Sequence, residues 1–317
     1  MAEVLVTGAF GYVGGRVAKH LAQLGHAVRL GTRRAAAQPP DWLIRGRVAA
    51  CDPLDDGQLQ AACRGVQCVV HLAAVNENVS AADPVLALNV NGVGTLRTLQ
   101  AAIRAGANRF IYLSTAHVYG APLVGRISET TPPKPLHPYA ISHRAAEDFV
   151  LATHSRGEIE GVVLRLSNGF GAAERADVDR WTLLVNDLCR QAVTGGRMIM
   201  RSPGDDARDF VTLEDTARAV AHFIALDHAA LGDGLFNVGS GQSLPVRAVA
   251  ELIIERCEAL LGFRPPIVRP DSTAPAPAAL EYRIDKLRAT GFAPACNMLG
   301  EIDATLALCR DAFGVRR

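Results

Sequence analysis

Lysine is scarce in this chain of 317 residues: Lys19, Lys134 and Lys286 are the only lysines among 33 basic residues. Basic and acidic side chains nearly cancel, and the formal net charge is +1. A chain with so small a net charge produces no long-range field that attracts nucleic acid or an acidic membrane surface. We therefore expect neither as a partner. Any role that needs an ammonium group must fall to one of those three positions.

Cysteine patterning and long apolar runs are also lacking. The seven cysteines are odd in number and show no paired C-x-x-C spacing, which argues against disulfides and zinc and favours reduced, buried thiols. No apolar run approaches the about 20 residues needed to cross a bilayer. Glu3 and Gly8 interrupt the first apolar stretch, so there is no signal-peptide pattern. These absences predict a soluble, cytoplasmic protein that does not enter membranes.

The remaining composition is that of an ordinary globular protein. Apolar residues make up 49% of the chain and charged residues 21%, which is typical of globular domains. A chain of this length buries a large core, and two closely joined lobes suit it better than one.

A glycine-rich segment near the amino terminus is the strongest local pattern. The apolar run 4–6 leads into Gly8, Gly11 and Gly14, and apolar residues at helical spacing follow. Such glycines permit a tight strand-to-helix turn, let backbone N–H groups approach a pyrophosphate, and let helix and strand pack closely. The helix amino terminus adds partial positive charge there. The spacing is not the commoner G-x-G-x-x-G, but its place between strand and helix predicts a dinucleotide site.

The end of the second predicted strand bears on which dinucleotide binds. In such sites an acidic residue about 20 residues past the glycines accepts the adenosine ribose hydroxyls. Here Thr32 takes that place, followed by Arg33 and Arg34. Because Arg33 can pair with a ribose 2′-phosphate through charge-assisted hydrogen bonds, we expect NADP rather than NAD. The alternative is that both arginines only solvate a loop rim.

Strands and helices alternate along the first half of the chain. Predicted strands at 47–51, 68–72 and 108–113 are separated by helical patterns, among them the long stretch 83–105. This alternation predicts an α/β fold with a doubly wound parallel sheet and helices on both faces. Asp52, directly after the third strand, is a candidate acceptor for the adenine amino group.

A series of motifs follows the glycine segment in a fixed order. The series reads Thr7-Gly8-x-x-Gly11-x-x-Gly14, His71-Leu72-Ala73-Ala74, Asn89-Val90-Asn91-Gly92, Ser114-Thr115 with Val118-Tyr119-Gly120, Pro138-Tyr139, Leu164-Arg165-Leu166-Ser167-Asn168, Arg208-Asp209-Phe210-Val211 and Asn237-Val238-Gly239. Over nearly its whole length the chain therefore resembles the extended short-chain dehydrogenases/reductases, in the NAD-dependent epimerase/dehydratase branch that acts mainly on nucleotide-linked sugars. The resemblance implies a Rossmann-type sheet with a smaller C-terminal substrate-binding lobe.

The resemblance also implies how the chain is divided. Residues 1–167 form the dinucleotide-binding domain, to which 209–243 return, whereas 168–208 and 244–317 form the smaller lobe, with a helical pattern at 181–193. The residues implied to contact the cofactor are Gly8, Phe10, Gly11, Tyr12, Val13, Thr32, Arg33, Asp52, Pro53, Leu72, Ala73, Ala74, Asn89, Tyr139 and His143.

The chemistry that the resemblance implies is hydride transfer at a sugar carbon, with a tyrosine as acid or base. Tyr139 matches that tyrosine, and Thr115 matches the hydroxyl that bonds the reacting oxygen. Four residues after the tyrosine the family carries a lysine, which bonds the nicotinamide ribose and lowers the tyrosine pKa, but this chain has His143. A neutral histidine forfeits that charge, so we expect slow oxidation near neutrality and a site better suited to reduction. The alternatives are that His143 marks a loss of catalysis, or lies on the helix surface without bearing on the site.

Further residues are candidates for contacts to the substrate. Sugar 4,6-dehydratases of this family carry an Asp-Glu pair just after the serine or threonine, where this chain has Ala116 and His117, which argues against dehydration. His117 is interpreted as a polar wall residue or as a proton carrier, and His137 as a second proton relay of undecided orientation. Arg208 suits a phosphate, unless it belongs to a surface loop. The implied substrate-binding residues are Asn76, Thr115, His117, Asn168 and Arg208, with Asn168 at the diphosphate.

The main hypothesis is an NAD(P)-dependent oxidoreductase or epimerase that acts on a nucleotide-activated sugar, with NADP favoured and no metal. One alternative is a ketoreductase on a non-sugar carbonyl compound, which loss of the contacts at Asn168 and Arg208 would favour. The other is a nucleotide-binding or regulatory protein without turnover. By resemblance, helices around 89–105 and 139–153 pair two copies in a homodimer.

Overall fold

The computed structural model describes residues 1–34, 37–271 and 279–314. The strands are β1 (Glu3–Thr7), β2 (Ala27–Thr32), β3 (Gly46–Ala50), β4 (Cys68–His71), β5 (Arg109–Thr115), β6 (Gly125–Ile127), β7 (Glu160–Leu166), β8 (Asn168–Phe170), β9 (Met198–Ile199), β10 (Ala207–Thr212), β11 (Leu235–Val238), β12 (Ser243–Pro245), β13 (Ile267–Val268) and β14 (Leu280–Tyr282). The α-helices are α1 (Tyr12–Gln23), α2 (Asp56–Cys63), α3 (Glu77–Ala82), α4 (Pro84–Ala87), α5 (Gly94–Arg104), α6 (Pro138–Ser155), α7 (Leu184–Gly195), α8 (Leu213–Ala225), α9 (Val246–Leu261), α10 (Asp285–Ala289) and α11 (Met298–Phe313). A π-helical turn spans Leu88–Val93, and 3-10 helical turns span Ala116–Tyr119 and His228–Leu231.

Seven parallel strands form the central sheet, in the order β11-β7-β5-β4-β1-β2-β3. β1 lies between β4 and β2, with Val6 opposite Val70 on one side and Leu30 on the other. The chain runs from β1 outward to β3 and then returns to the other side of β1 for β4. The predicted doubly wound parallel sheet is therefore confirmed. In such sheets ligands bind beyond the carboxyl ends of the strands, where the strand order reverses.

The central strands are buried on both faces because helices cover each face. In β1, Val4 and Val6 pack in an apolar cluster with α1, whereas Leu5 packs on the opposite face with side chains of α2 and α5. All three side chains are fully buried. Since burial of each contributes about 1.5–3 kcal/mol, both faces demand apolar residues, and the strand reads as a continuous apolar run.

A separate apolar cluster lies in the smaller lobe. It is formed by side chains of α7, α9 and α11 and of β8, β9 and β10. Examples are Leu188 of α7, Ile253 of α9 and Phe170 of β8. Leu280 and Tyr282 of β14 instead pack in the cluster of the central sheet. The domain boundaries named above stay a prediction.

One buried carboxylate ties the lobes together. Glu301, in the first turn of α11, forms a two-pronged ion pair with Arg16 on α1, with N–O distances of 2.5 and 3.0 Å. The same carboxylate accepts the backbone amides of Ala172 and Glu214 at 3.3 and 3.1 Å. Because separating a buried ion pair leaves an uncompensated charge that costs several kcal/mol, Glu301 fixes α1 against the segment that follows β8.

The stretch 83–105, predicted as one helical pattern, is interrupted by the π-helical turn Leu88–Val93. The cause is a set of tertiary hydrogen bonds. Oδ1 of Asn91 accepts the amide of Val75 at 2.8 Å, and its Nδ2 donates to Oγ of Ser142 at 3.0 Å. The extra residue in this turn lets the Asn91 side chain join α6 to the segment after β4.

Two further expectations need correction. The helical pattern at 181–193 becomes a helix only at Leu184, because Trp181 packs edge-on against Phe313 with ring centroids 5.0 Å apart. Six of the seven cysteines are buried as expected, but Cys296 is exposed in the loop before α11.

Two features, a membrane-spanning helix and a metal-binding cluster, are not found in the part of the chain that the structure describes. None of its helices is long and apolar enough to span a bilayer. Nor do three or more of its His, Cys, Asp and Glu side chains come together to hold a metal ion.

Candidate active site

A cavity of about 520 Å³ lies beyond the carboxyl ends of β1, β4 and β5. One part of its wall is the glycine loop around Gly8, and Thr115 and Tyr139 form another. Asn168 and Arg208 complete it from β8 and β10. The cavity therefore joins residues predicted for the cofactor with residues predicted for the substrate.

Most of the sequence-predicted site residues line this cavity. They are Gly8, Phe10, Gly11, Tyr12, Val13, Arg33, Leu72, Ala74, Asn76, Thr115, His117, Tyr139, His143, Asn168 and Arg208. The structure does not bring the others to the cavity wall, namely Thr32, Asp52, Pro53, Ala73 and Asn89.

The glycine loop is shaped by close backbone contacts. Gly8 has a positive φ of 66°, and the amide of Gly11 donates to its carbonyl at 2.8 Å. A Cβ on Gly14 would lie 2.1 Å from that carbonyl oxygen. Gly11 is the N-cap of α1 and offers no side-chain cap, so first-turn amides of α1 are left for another acceptor. Such a cradle fits the pyrophosphate of a dinucleotide.

Substitution of Gly14 by alanine tests this cradle. We expect dinucleotide affinity to fall at least about tenfold and the free energy of unfolding to fall by about 1–3 kcal/mol, because the loop must move away from the new methyl group. Cofactor fluorescence titration and urea unfolding measure the two effects. Gly195→Ala is the control, since a Cβ there meets nothing within 4 Å. Unchanged affinity in Gly14→Ala would contradict the proposed cradle.

A buried polar network supports the wall beside the glycine loop. Oγ1 of Thr95 donates to the carbonyl of Asn91 at 2.5 Å, so it accepts from Nε2 of His71 at 3.1 Å. Nδ1 of His71 then accepts from the hydroxyl of Thr7 at 2.9 Å. Burial lowers the pKa of His71 to about 3, so the ring is neutral.

The same threonine positions the backbone of the cavity wall. Oγ1 of Thr7 accepts the amides of Leu72 and Ala73 at 3.0 and 3.2 Å. Gly8 packs directly on this backbone, since its Cβ position lies 3.0 Å from the amide nitrogen of Ala73. Ala73 thus contributes structure beneath the wall, whereas Leu72 and Ala74 line it.

The end of β2 presents two arginines. Oγ1 of the buried Thr32 accepts the amide of Arg34 at 3.0 Å. Arg33 and Arg34 are exposed and line the cavity. In the described part of the chain, Arg33 has no ion-pair partner, and Arg34 lies 3.9 Å from Asp177. Asp52, after β3, lies outside the cavity wall, and its Oδ1 accepts a hydrogen bond from the amide of Leu54 at 2.9 Å.

Helix α6 brings Tyr139 into the cavity. His137 is the N-cap of this helix, and its Nδ1 accepts the Tyr139 amide at 3.2 Å. The orientation of His137, open from the sequence, is therefore that of a cap, and the residue does not line the cavity. Oγ1 of Thr115 accepts the His117 amide at 3.2 Å, which leaves its hydroxyl hydrogen free to donate into the cavity.

His143 lies one helical turn after Tyr139, and the two ring centroids are 4.3 Å apart. The imidazole is 2% exposed, so it does not lie on the helix surface. Its Nδ1 lies 2.6 Å from the hydroxyl of Tyr112, and among the described residues its Nε2 has no partner. Burial, with smaller effects of His71 and His117, lowers the pKa of His143 to about 3.

The ionisation of Tyr139 follows from this environment. Burial raises its pKa above the ordinary value, Glu77 adds to the increase, and Arg180 opposes it. Because His143 is neutral near pH 7, it supplies no positive charge to favour the phenolate. Tyr139 is therefore a phenol at physiological pH and begins as a proton donor.

The substrate side of the cavity holds polar groups from several elements. Nδ2 of Asn168 donates to the carbonyl of Asp209 at 3.0 Å, which fixes the side chain. Arg208 is exposed and, within the described residues, makes no ion pair. Desolvation and the nearby Arg208 lower the pKa of His117, and Glu77 opposes this.

Two asparagines differ in their placement. Asn76 lines the cavity and caps α3, since its Oδ1 accepts the amide of Val79 at 3.0 Å. Asn89 is exposed in the π-helical turn and lies outside the cavity, whereas Asn91 of the same motif is buried.

The residues that sequence reasoning missed include one charged pair in the cavity wall and one residue behind it. Glu77 and Arg180, 103 residues apart, lie 3.4 Å from each other and both line the cavity. No spacing signals such a distant pair. Tyr112 lies behind His143, and its only signal is a phenol between the apolar residues Ile111 and Leu113 of β5.

Comparisons with known proteins identify relatives of this chain in sequence and in fold. UDP-glucose 4-epimerase of Corynebacterium glutamicum is 32% identical over 310 residues, covering 90% of this chain and 88% of that protein. dTDP-6-deoxy-L-talose 4-dehydrogenase (NAD(P)(+)) of Kitasatospora kifunensis is 31% identical over 264 residues, covering 80% and 79%. The structure of Thermus thermophilus UDP-glucose 4-epimerase in complex with NAD matches with a TM-score of 0.77 and 28% identity, covering 98% and 99%. The profile of the NAD dependent epimerase/dehydratase family matches residues 4–239, and the chain belongs to that family.

Proposed function

We propose that the protein is an NAD(P)-dependent oxidoreductase or epimerase that acts on a nucleotide-activated sugar, with Tyr139 as acid or base. One observation carries the proposal: Thr115, Tyr139 and His143 line the same cavity as the glycine loop and as Asn168 and Arg208. The guanidinium of Arg208, without an ion-pair partner among the described residues, suits a substrate phosphate. It thereby favours a nucleotide sugar over a simple carbonyl compound.

The roles of the residues follow from their hydrogen bonds. A bound nicotinamide supplies or accepts the hydride. Oη of Tyr139 gives a proton to the oxygen of the carbonyl being reduced, or takes one from the alcohol being oxidised. The hydroxyl of Thr115 donates to the same oxygen, because it accepts a backbone amide and its own hydrogen remains free. His143 donates to the nicotinamide ribose.

The protonation states support reduction as the favoured direction. Tyr139 begins as a phenol because burial raises its pKa, and reduction needs a proton donor. Oxidation needs the phenolate, so its rate should increase as the pH rises toward that pKa. At neutral pH the site is therefore ready to reduce a nucleotide-linked keto sugar without prior loss of a proton, while substrate and cofactor concentrations set the net direction.

Purified protein with each cofactor and a panel of carbonyl compounds tests the proposal. We expect oxidation of NADPH with nucleotide-linked keto sugars, and slow reduction of NADP⁺ with UDP- or dTDP-hexoses. Turnover only with carbonyl compounds that lack a nucleotide would favour the ketoreductase alternative. Tight cofactor binding without turnover on any substrate would favour a binding or regulatory protein.

The preference for NADP rests on Arg33 and Arg34. We expect Arg33→Ala to weaken NADPH binding by about 10- to 100-fold, which corresponds to the loss of a charge-assisted hydrogen bond. NADH binding should change less than about twofold. Calorimetry with both cofactors measures this, with Arg47→Ala as control, since Arg47 is exposed on β3 and does not line the cavity. Equal losses for NADPH and NADH would argue against a 2′-phosphate contact.

We also infer a homodimer, supported by exposed apolar side chains on neighbouring helices. On α4 and the π-helical turn these are Val85 and Leu88, which are 70% and 47% exposed. On α6 they are Ile141 and Phe149, which are 48% and 44% exposed. A dimer would remove this apolar surface from water. A cytoplasmic location is inferred as well, because a reducing compartment preserves the buried cysteine thiols.

Charge placed on this surface should separate the two copies. We expect the double variant Ile141→Arg, Phe149→Arg to elute as a monomer and the unchanged protein as a dimer. Size-exclusion chromatography with light scattering measures the mass. Leu260→Arg is the control, since this side chain is 45% exposed on α9. A monomeric unchanged protein would contradict the inference.

A further inference from the structure

His143 is held from behind by a residue that the proposed chemistry does not yet use. Tyr112 lies on β5, is 2% exposed, and does not line the cavity. Its hydroxyl is 2.6 Å from Nδ1 of His143, and the ring centroids are 5.7 Å apart at an interplanar angle of 25°. The ring of His71 also stacks with that of Tyr112, with centroids 6.0 Å apart.

The direction of this hydrogen bond decides whether Nε2 of His143 is a donor or an acceptor toward the cavity. Burial and the nearby Glu147 raise the pKa of Tyr112 well above its ordinary value, so the phenol keeps its hydrogen. The imidazole is neutral and carries a single N–H. If the phenol donates to Nδ1, the imidazole hydrogen is on Nε2, the nitrogen without a protein partner. If Nδ1 donates instead, Nε2 is a bare acceptor.

The first arrangement satisfies more of the buried groups. Among the described residues, the Tyr112 hydroxyl makes one hydrogen bond, to His143. The nearby hydroxyl of Thr95 already donates to Asn91 and accepts from His71. A phenol hydrogen that is not given to Nδ1 would have only the remaining lone pair of this Thr95 oxygen, which already makes two hydrogen bonds. The short contact with Nδ1 is therefore the better acceptor for it.

We propose that Tyr112 is a positioning residue: its hydroxyl donates to Nδ1 of His143 and keeps the imidazole in the Nε2–H form, as a neutral hydrogen-bond donor to the nicotinamide ribose. This inference rests on the proposed function of the cavity. His143 then replaces the hydrogen bond of the family's lysine but not its charge. The Nε2–H donor persists across physiological pH, because the neutral imidazole already carries this hydrogen and need not gain a proton.

Among the residues that the structure describes, the side chains that face His143 carry no charge that would overturn this state. Tyr112 faces it from β5, Tyr139 from the preceding turn of its own helix, His71 from β4, and His117 from the 3-10 helical turn. The two histidines oppose protonation of His143. Glu147 lies near Tyr112, but it is paired with Arg165 at 2.7 Å.

Nitrogen NMR of histidine-labelled protein without cofactor tests the tautomer. The His143 signals are identified by their loss in His143→Gln. We expect hydrogen on Nε2 and none on Nδ1, without titration between about pH 5 and about pH 8. In Tyr112→Phe the Nδ1 signal should shift, since its donor is gone. A wild-type protein with hydrogen on Nδ1 overturns the proposal, even if the Tyr112 variant does not fold.

Cofactor affinity provides the second measurement. We expect Tyr112→Phe to weaken NADPH binding about three- to tenfold, as for loss of a neutral hydrogen bond. His143→Gln, which keeps a neutral donor, should bind within about threefold of wild type, whereas His143→Leu should lose about tenfold. Tyr119→Phe is the control, because its hydroxyl binds Asn237 away from the cavity.

The outcomes separate this inference from the proposed function. Unchanged Nδ1 signals and unchanged affinity in Tyr112→Phe overturn the positioning role. Equal affinities of His143→Gln and His143→Leu overturn the role of His143 as donor. If the unchanged protein binds no nicotinamide cofactor, the proposed function fails, while the NMR result still decides the tautomer.

Discussion

Replacement of Tyr139 by phenylalanine is expected to lower kcat for a nucleotide-linked keto sugar by about 10²- to 10⁴-fold, the usual worth of a positioned acid or base. The reason is that Tyr139 is the titratable side chain of α6 that both lines the cavity and keeps its proton at neutral pH. NADPH affinity should change less than about threefold, because the ring remains in place. Steady-state kinetics and a fluorescence titration measure the two quantities.

The matched control for this result is Tyr119→Phe. It removes another buried phenol hydroxyl, one that binds Asn237 at 2.7 Å and does not line the cavity. We expect its kcat to stay within about threefold of wild type, since it loses one structural hydrogen bond. If both variants lose activity equally, the effect of Tyr139 is structural and the assignment of the acid fails.

The second large effect is expected from His143→Lys. An ammonium about 5 Å from the phenol oxygen, at an effective dielectric constant of about 20, favours the phenolate by about 3 kcal/mol. This lowers the pKa of Tyr139 by about two units. The oxidation rate follows the phenolate, so its pH profile should move about two units toward lower pH, with a gain of up to about 100-fold at neutral pH.

The pH profile of NADP⁺ reduction by a nucleotide sugar measures this shift. The groups that act on Tyr139 besides the new ammonium are Glu77, which raises its pKa, and Arg180, which lowers it. His143→Gln is the control, because it keeps a donor without a charge, and its profile should match that of wild type. A profile of His143→Lys that does not move would mean that the missing charge does not limit oxidation.

The fold could be predicted because its signals are local. The strand that contains Val4, Leu5 and Val6 must be apolar on both faces, and the glycines that follow predict a turn into a helix. The candidate site residues Thr115 and Tyr139 came instead from the family resemblance, and their roles stay a prediction. Both stand in motifs at strand and helix ends. The parallel order of the sheet then brings those ends to one edge.

What the sequence could not supply depends on contacts between distant residues. The break in the stretch 83–105 arises from hydrogen bonds of Asn91 to Val75 and Ser142, which have no local pattern. The state of His143 depends on its burial and on its contact with Tyr112, 31 residues earlier in the chain. A substitution in a motif can be seen in the sequence, but the charge state of the new side chain is set by the surrounding structure.

Two of the ion pairs between the lobes, Arg16 with Glu301 and Arg180 with Glu77, differ in their exposure, and this has a consequence for how ligands enter. The side chain of Glu301 is 3% exposed, whereas that of Glu77, which pairs with Arg180, is 40% exposed. A solvated pair separates at a cost of about 1 kcal/mol or less, while a buried one resists separation. We expect the lobes to swing apart at Glu77 and to pivot at Glu301, so that ligands pass in and out without loosening either apolar core.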